Sequence, residues 1–387
     1  MIYFDYSANT PVDSTVLDTF VEATKKYTAN PNSNHYLGKL AKKQIDKASV
    51  FIANYFNCDP TGIIYTSSAT ESNNLVIKGI ADKYKHKGNH IIISAMEHSS
   101  IVAPCNYLSS LGYDVSVIST NKDGIVDLEE LKNTITDKTI LVSICSVDSE
   151  LGVIQPIKEI GNIIKKYKNC IFHTDATQTI GKVNICFSTN VSQIVNNNVP
   201  SIDFSNVDFI TFAPHKFYGL NGLGVLVNRS NLPITPLFHG GKSTTIYRSG
   251  SPDTANIIAL NKAFKIALDS LNNRYGYVLN LNNILRNGLI NLDCVHINSP
   301  IDSSPYIFNF SLKNGNIDTI ISDLNNYGIC VARAEACSLD NSPSRRVLFI
   351  TGDKNLAENT IRISLSHLNT RDEIVEFLKV FNLILQH

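Results

Sequence analysis

The chain has 387 residues, more than a single hydrophobic core usually serves, so two structural domains and room for an enclosed site are expected. Its 34 basic and 34 acidic side chains cancel, and no long basic block is present, which argues against nucleic acid as a direct partner. No window reaches the roughly 18 consecutive apolar residues of a membrane span, and no charged lead precedes an apolar core at the start, so a soluble cytoplasmic protein with no membrane partner is expected.

Two amphipathic helices are predicted first, over 14–27 and 37–56. From residue 60 onward short β-rich runs alternate with helical patterns. The runs at 63–69, 90–96, 113–120, 139–145, 170–176, 207–213 and 222–228 read as strands. Several are apolar without alternation, as expected where both faces of a mostly parallel sheet are covered by helices. The intervening segments 71–85, 100–112, 127–135 and 156–168 carry apolar residues at three- and four-residue steps. The last two strands are joined by too few residues for a crossover helix, so they are expected either to pair antiparallel or to bend sharply, giving a mixed sheet. Residues 188–203 are polar, with an Asn triplet and Pro200, and predict an exposed loop or flap.

A helix over 255–273 leads out of this region. Beyond it come a helix near 277–290, strands around 294–298, 306–311, 329–333 and 360–366, and helices at 316–327 and 370–385. The expected organisation is therefore an N-terminal segment, 1–13, packing with a small domain, a large domain over 14–256, and the smaller α+β domain over 257–387.

The chemistry starts from two strand ends. Lys216 follows the run at 207–213, and Asp175 closes the run at 170–176. An amine and a carboxylate placed so suit pyridoxal 5'-phosphate: the lysine holds the aldehyde, and the aspartate keeps the pyridine nitrogen protonated so that the ring accepts electrons. A lysine after a strand is by itself more often a solvated strand end. The segment TSSATE at 66–71 follows a strand and opens a helix, where orphan amides and the hydroxyls of Ser68 and Thr70 make a phosphate cradle. His98 ends the next strand region, where its ring can stack on a pyridine or simply bond locally. Arg362 lies between Ile361 and Ile363, and a planar bidentate donor there suits either a substrate carboxylate or a surface ion pair.

Eight cysteines are spread without CxxC or CxxH spacing, which favours free thiols over a disulfide scaffold or a zinc site; no metal is expected. Most sit in apolar patterns and read as small hydrophobes. Cys337 differs, because AEACSLDNSPS around it is small and polar.

Taken together the motifs resemble the class V aminotransferases, fold type I of the pyridoxal phosphate enzymes, and within them the cysteine desulfurases of the NifS and IscS type. The resemblance runs through YFDYSANTPVD (3–13), NPNSNHYLG (30–38), TSSATESNNLVIKG, MEHSSIV, VDSELGVIQPI (147–157), HTDATQTIGK (173–182), PHKFYGLNGLGVL (214–226), YRSGSPDT (247–254), EACS (335–338) and TIRISLS (360–366). It implies an α/β fold with a mostly parallel seven-stranded sheet between helices and a smaller C-terminal α+β domain carrying a mobile cysteine loop. It implies that Lys216 binds the cofactor aldehyde and then acts as base, that Asp175 holds the ring nitrogen, that His98 stacks on the ring, and that Gln178 donates to the phenolic oxygen. Thr70, His215 and the backbone at Ala69 would bind phosphate. Ser251 would reach the phosphate of a second subunit, so that a homodimer shares its active sites. Arg362 would hold the substrate carboxylate, with Asn34 flanking it, and Cys337 would take sulfur from L-cysteine as a persulfide, leaving L-alanine. The sulfur would pass to an acceptor such as an iron–sulfur scaffold or a tRNA-thiolating enzyme.

The chain also departs from that pattern. Ser149 stands where an asparagine is usual, and Ala213 where a serine usually helps hold phosphate; losing one such donor costs roughly 1.5 to 3 kcal/mol unless Ser243, Thr244 or Thr245 replaces it. Glu335 lies two positions from Cys337, where a carboxylate disfavours a thiolate unless Arg333 offsets it. Residues 240–245 read GGKSTT where a GGGxE segment is common, and 188–203 resembles an insertion. Two other readings follow from the same residues: a selenocysteine lyase or other pyridoxal phosphate C–S lyase, and a non-catalytic dimeric scaffold.

Overall fold

The computed structural model describes residues 1–187, 199–241, 243–333 and 342–386. Its centre is a seven-stranded sheet of order β2-β10-β9-β6-β5-β3-β4, formed by Ile63–Thr66, Gly224–Asn228, Phe209–Phe212, Ile171–Asp175, Thr139–Ser143, His90–Ser94 and Asp114–Ile118. β3, β4, β5, β6 and β9 run parallel, while β10 runs antiparallel to both its neighbours. Each of the seven coincides with an expected strand, and the short β9–β10 connection gives the antiparallel pair.

Both faces of the sheet are covered. Along β3, Ile91 and Ile93 enter one apolar core with helices α3 (Ala69–Tyr84) and α4 (Ser99–Ser110). Ile92 points the other way, into a core shared with α2 (Tyr36–Phe56) and α6 (Ile157–Ile164). Phe209 and Phe212 divide in the same manner on β9. Burial on both faces removes any reason for polar alternation, which is why these strands read as continuous apolar runs.

A second core surrounds the antiparallel sheet β11-β12-β14 (Val295–Ile297, Ile307–Leu312, Thr360–Ser364) and takes in Phe308, Phe310, Phe377 and Phe381. The two helices expected over 255–273 and 277–290 are one, α7, of 36 residues from Thr254 to Leu289. Its residues through Ala267 belong to the core of the large sheet and those from Leu271 onward to the second core. The two cores therefore meet inside the helix.

The first residues join the two regions. Ile2–Tyr3 (β1) pairs in parallel with Ile329–Cys330 (β13), and Phe4 fills the second core. The chain then passes from the small sheet, where the Ser364 hydroxyl on β14 accepts from the Ser7 amide at 2.9 Å, to the large one, where the Thr10 hydroxyl donates to the His215 carbonyl at 2.9 Å.

The polar stretch expected as a loop over 188–203 is corrected at its end, where Ser201–Asp203 (β8) pairs in parallel with Asn184–Cys186 (β7). Ile202, at the centre of this three-residue strand, supplies its buried side chain. Residues 188–198 lie outside the described residues. Two further short helices unforeseen from the sequence, α9 (Arg345–Thr351) and α10 (Lys354–Glu358), lead into β14. No described helix is long and apolar enough to cross a membrane.

Candidate active site

The carboxyl ends of β2, β3, β5, β6 and β9 open on one side of the sheet, the usual position for a ligand crevice in a parallel α/β fold. A cavity of about 190 Å³ occupies it. Ala69, Thr70, His98, Asp175, Gln178, His215, Lys216 and Arg362 all line this cavity, although they come from segments spread over nearly 300 residues.

Lys216 ends a 3-10 turn, Pro214–Lys216, that follows β9 directly. Its ammonium donates to the carbonyls of Ser7 at 2.7 Å and Ala8 at 2.5 Å, which brings the N-terminal segment into the cavity wall. His215 is held through its own carbonyl by Thr10, and burial, with Lys216 and Lys182 nearby, pulls its imidazole down to about 4. It is therefore a neutral ring at physiological pH.

Asp175 is the last residue of β6 and is nearly buried. One carboxylate oxygen accepts from the Thr177 amide at 2.9 Å, the other from the Asn73 side-chain amide at 2.8 Å. Asn73, on α3 and fully buried, also donates to the Ser100 hydroxyl at 2.8 Å. That hydroxyl lies 2.8 Å from Nδ1 of His98, which also caps α4 by accepting from the Ser100 amide at 3.1 Å. The carboxylate and the imidazole are thus oriented by one connected network, as groups that must present fixed faces to a ring require.

On the opposite wall, Arg362 is buried on β14 and donates to the Asp5 carboxylate at 2.7 Å and to the Ser149 carbonyl at 3.1 Å. At the near end, Ser68 caps α3, its hydroxyl accepting from the Glu71 amide at 3.2 Å. Gly224 on β10 is required here, because a Cβ at that position would fall 2.2 Å from the Ser68 carbonyl carbon and 2.7 Å from the Ala69 nitrogen. Strand and helix start approach backbone to backbone only because that residue has no side chain.

Two expected residues, Ser251 and Asn34, are not brought to this cavity within one chain. Ser251 is exposed and lines a different cavity, of about 150 Å³, with Ser67, Ser243 and Thr244. Ala213 is fully buried. Asn34 is exposed, one residue before the His35 cap of α2. Cys337 and Glu335 lie outside the described residues.

The residues present fit pyridoxal phosphate. The Ser7 hydroxyl, the Thr177 hydroxyl and Nε of Arg362 are buried polar atoms without a hydrogen-bond partner among the described residues, and all three residues line the cavity. Buried polar groups left unmatched by the protein point to a polar ligand. The amine, the anchored carboxylate, the oriented imidazole and the amides at the start of a sixteen-residue helix are what an aldehyde, a ring nitrogen, a ring face and a phosphate each need.

Residues 2–377 match the family model for class V aminotransferases. The chain belongs to that family. A cysteine desulfurase IscS from Buchnera aphidicola subsp. Baizongia pistaciae is 36% identical over 380 residues, covering 96% of this chain and 90% of the relative. One from Dictyoglomus turgidum is 32% identical over 388 residues, covering 100% and 94%. A solved NifS-like protein superposes with a TM-score of 0.89 at 33% identity, covering 100% of this chain and 99% of its own. Within the class V aminotransferases, the protein is of the NifS and IscS cysteine desulfurase type, with pyridoxal 5'-phosphate as cofactor.

Several side chains of this class V aminotransferase site escaped the sequence reading. Lys182 is buried and donates to Gln178 Oε1 at 2.5 Å; its spacing of four from Gln178 was the one available signal. Glu97, fully buried beside His98, is pushed up to about 7, chiefly by burial. Arg346 is buried on the cavity wall between Asp148 and Glu150, and no spacing links partners about 200 positions apart.

Proposed function

We infer that this protein desulfurates L-cysteine, releasing L-alanine, loading the sulfur on Cys337 as a persulfide and passing it to an acceptor protein. The observation that carries the reading is the meeting of Lys216, Asp175, His98 and Arg362 around one cavity.

Pyridoxal phosphate, when bound, supplies an electron sink for the bonds at the substrate's α-carbon. The chain's own residues do the rest. Arg362 receives the substrate carboxylate, its guanidinium already oriented by Asp5 and Ser149. Lys216 Nζ, on a turn fixed by the Thr10 contact to His215, is the base for the α-proton. Asp175, braced by Asn73 and the Thr177 amide, holds a proton on the ring nitrogen, and His98 covers a ring face. Gln178 is aimed by Lys182, and Thr70, His215 and the Ala69 amide take the phosphate. The Cys337 thiolate attacks the substrate sulfur, and the electrons of the C–S bond return to carbon, which is protonated to alanine.

Buried thiols make poor competitors for that role. Cys145 lines the same cavity, but burial, Glu97 and Asp148 push its thiol well above the usual range, and burial pushes Cys58 up to about 11 and Cys105 up to about 12. The acceptor is an iron–sulfur scaffold or a tRNA-thiolating enzyme, and free thiols at the described cysteines suit a reducing, cytoplasmic setting. A homodimer completes the site in this reading, with Ser251 reaching the partner's phosphate and Asn34 flanking the substrate.

Replacing Cys337 with serine tests the reading. A desulfurase loses alanine production from L-cysteine in that variant, whereas a lyase that releases sulfide directly keeps most of its turnover.

A further inference from the structure

A buried ion-pair cluster is built into the cavity wall. Nε of Arg346 lies 2.5 Å from Asp148 Oδ1, and Nη1 donates to Glu150 Oε2 at 3.2 Å; all three side chains are nearly or fully buried. Such a cluster is an expensive way to fill space, since apolar side chains of similar size would hold the fold as well or better. Its position says what it is for.

The two acids flank Ser149. The second oxygen of Asp148 accepts from the amides of Glu150, at 3.1 Å, and Leu151, so that this carboxylate closes the turn around Ser149 while its first oxygen is gripped by Arg346. The carbonyl at the apex of the turn then receives Nη1 of Arg362 at 3.1 Å. Arg346 also donates to the Met96 carbonyl at 3.0 Å, two residues before His98, which ties the turn to a second wall of the cavity.

We propose that Arg346 is a positioning residue for the substrate carboxylate: by gripping Asp148 and Glu150 on either side of Ser149, it sets the carbonyl that orients Arg362. The inference rests on the reading of Arg362 as the carboxylate receptor. It makes Arg346 a determinant of preference for α-amino acids over amines that lack the carboxylate, acting through Arg362. An ion-pair cluster serving stability alone would show no such discrimination.

The test compares L-cysteine with cysteamine, the same thiol and amine without the carboxylate, on the cofactor-loaded enzyme. Binding is read from the absorbance of the bound cofactor, and turnover in parallel. In the charge-free triple variant Asp148→Asn, Glu150→Gln, Arg346→Met, affinity for L-cysteine falls about tenfold, the size of one misaligned charge-assisted hydrogen bond, while cysteamine binding stays within about twofold. Arg346→Lys, which keeps the charge but not the fork, is read the same way and shifts in the same direction if the triple variant does not fold. Equal losses for both compounds, or no loss for either, overturn the proposal. Arg362→Met separates it from its premise: if that variant keeps the full preference for L-cysteine, the reading of Arg362 has failed, whereas loss of preference there and not in the Arg346 variants overturns only the role of Arg346.

Discussion

Lys182 makes the cofactor-free protein less stable than it need be. Its pKa is drawn from 10.5 to about 7, first by burial and then by Lys216 and Arg362. At 1.36 kcal/mol per pKa unit, keeping the ammonium buried costs about 5 kcal/mol at pH 7 and below. Methionine has nearly the same length and no charge, but it leaves Gln178 Oε1 without its donor, a loss of about 1 to 3 kcal/mol. Lys182→Met is therefore expected to stabilise the cofactor-free protein by about 2 to 4 kcal/mol near neutral pH.

The pH dependence is more specific. Because the folded pKa lies below the unfolded one, the unfolded chain binds the extra proton between about pH 7 and 10.5, so wild-type stability rises through that window as the penalty is relieved. The variant lacks this contribution. Its advantage is greatest at about pH 6, shrinks as pH rises and reverses near pH 10, where only the lost hydrogen bond remains. Urea unfolding midpoints of both proteins, each without cofactor, measure this. A gap that does not change with pH, or a variant less stable at about pH 6, refutes the reasoning. Affinity for pyridoxal phosphate moves the other way, because Gln178 loses the contact that aims it.

Arg362→Lys retains the charge but not the bidentate fork, and the KM for L-cysteine rises about 30- to 100-fold with a smaller change in kcat, read from steady-state alanine formation. Gly224→Ala drives a Cβ into the backbone at Ser68 and Ala69, so thermal stability falls by about 1 to 3 kcal/mol and titration with pyridoxal phosphate shows weaker binding. Cys145→Ala removes a cavity-lining thiol that burial keeps protonated, and alanine formation stays within about threefold of wild type, in contrast to the loss at Cys337.

Strand positions were legible because β2, β3, β5, β6, β9 and β10 are buried at every residue, and a continuous apolar run of four or five residues has few other uses. Helix α7 was read as two because Asn272, Asn273 and Gly276 are weak helix formers. Packing of Leu271, Tyr275 and Val278 on the second core overrides that local preference. β7 and β8 escaped because three residues carry too little pattern to stand against Asn- and Ser-rich flanks.

The same division holds within the site. Lys216, Asp175 and His98 stood out as candidates because each closes or follows a continuous apolar run and is a residue type with chemistry of its own. Side chains that act by orienting others carry no such mark: Asn73 serves Asp175 across 102 positions, and Asp5 serves Arg362 across 357. The carbonyls of Ser7 and Ala8 that receive Lys216 are backbone groups, which no residue type announces.

In the proposed reaction sulfur leaves L-cysteine through a protein persulfide. The most direct measurement of this step is a single turnover of the cofactor-loaded protein with L-cysteine, followed by alanine quantification and the mass of the intact chain and its peptides. Alanine stoichiometric with active sites is expected, together with one added sulfur atom on the peptide that carries Cys337. Alanine formed with no sulfur gained by the chain, or sulfur found on a different cysteine, contradicts it.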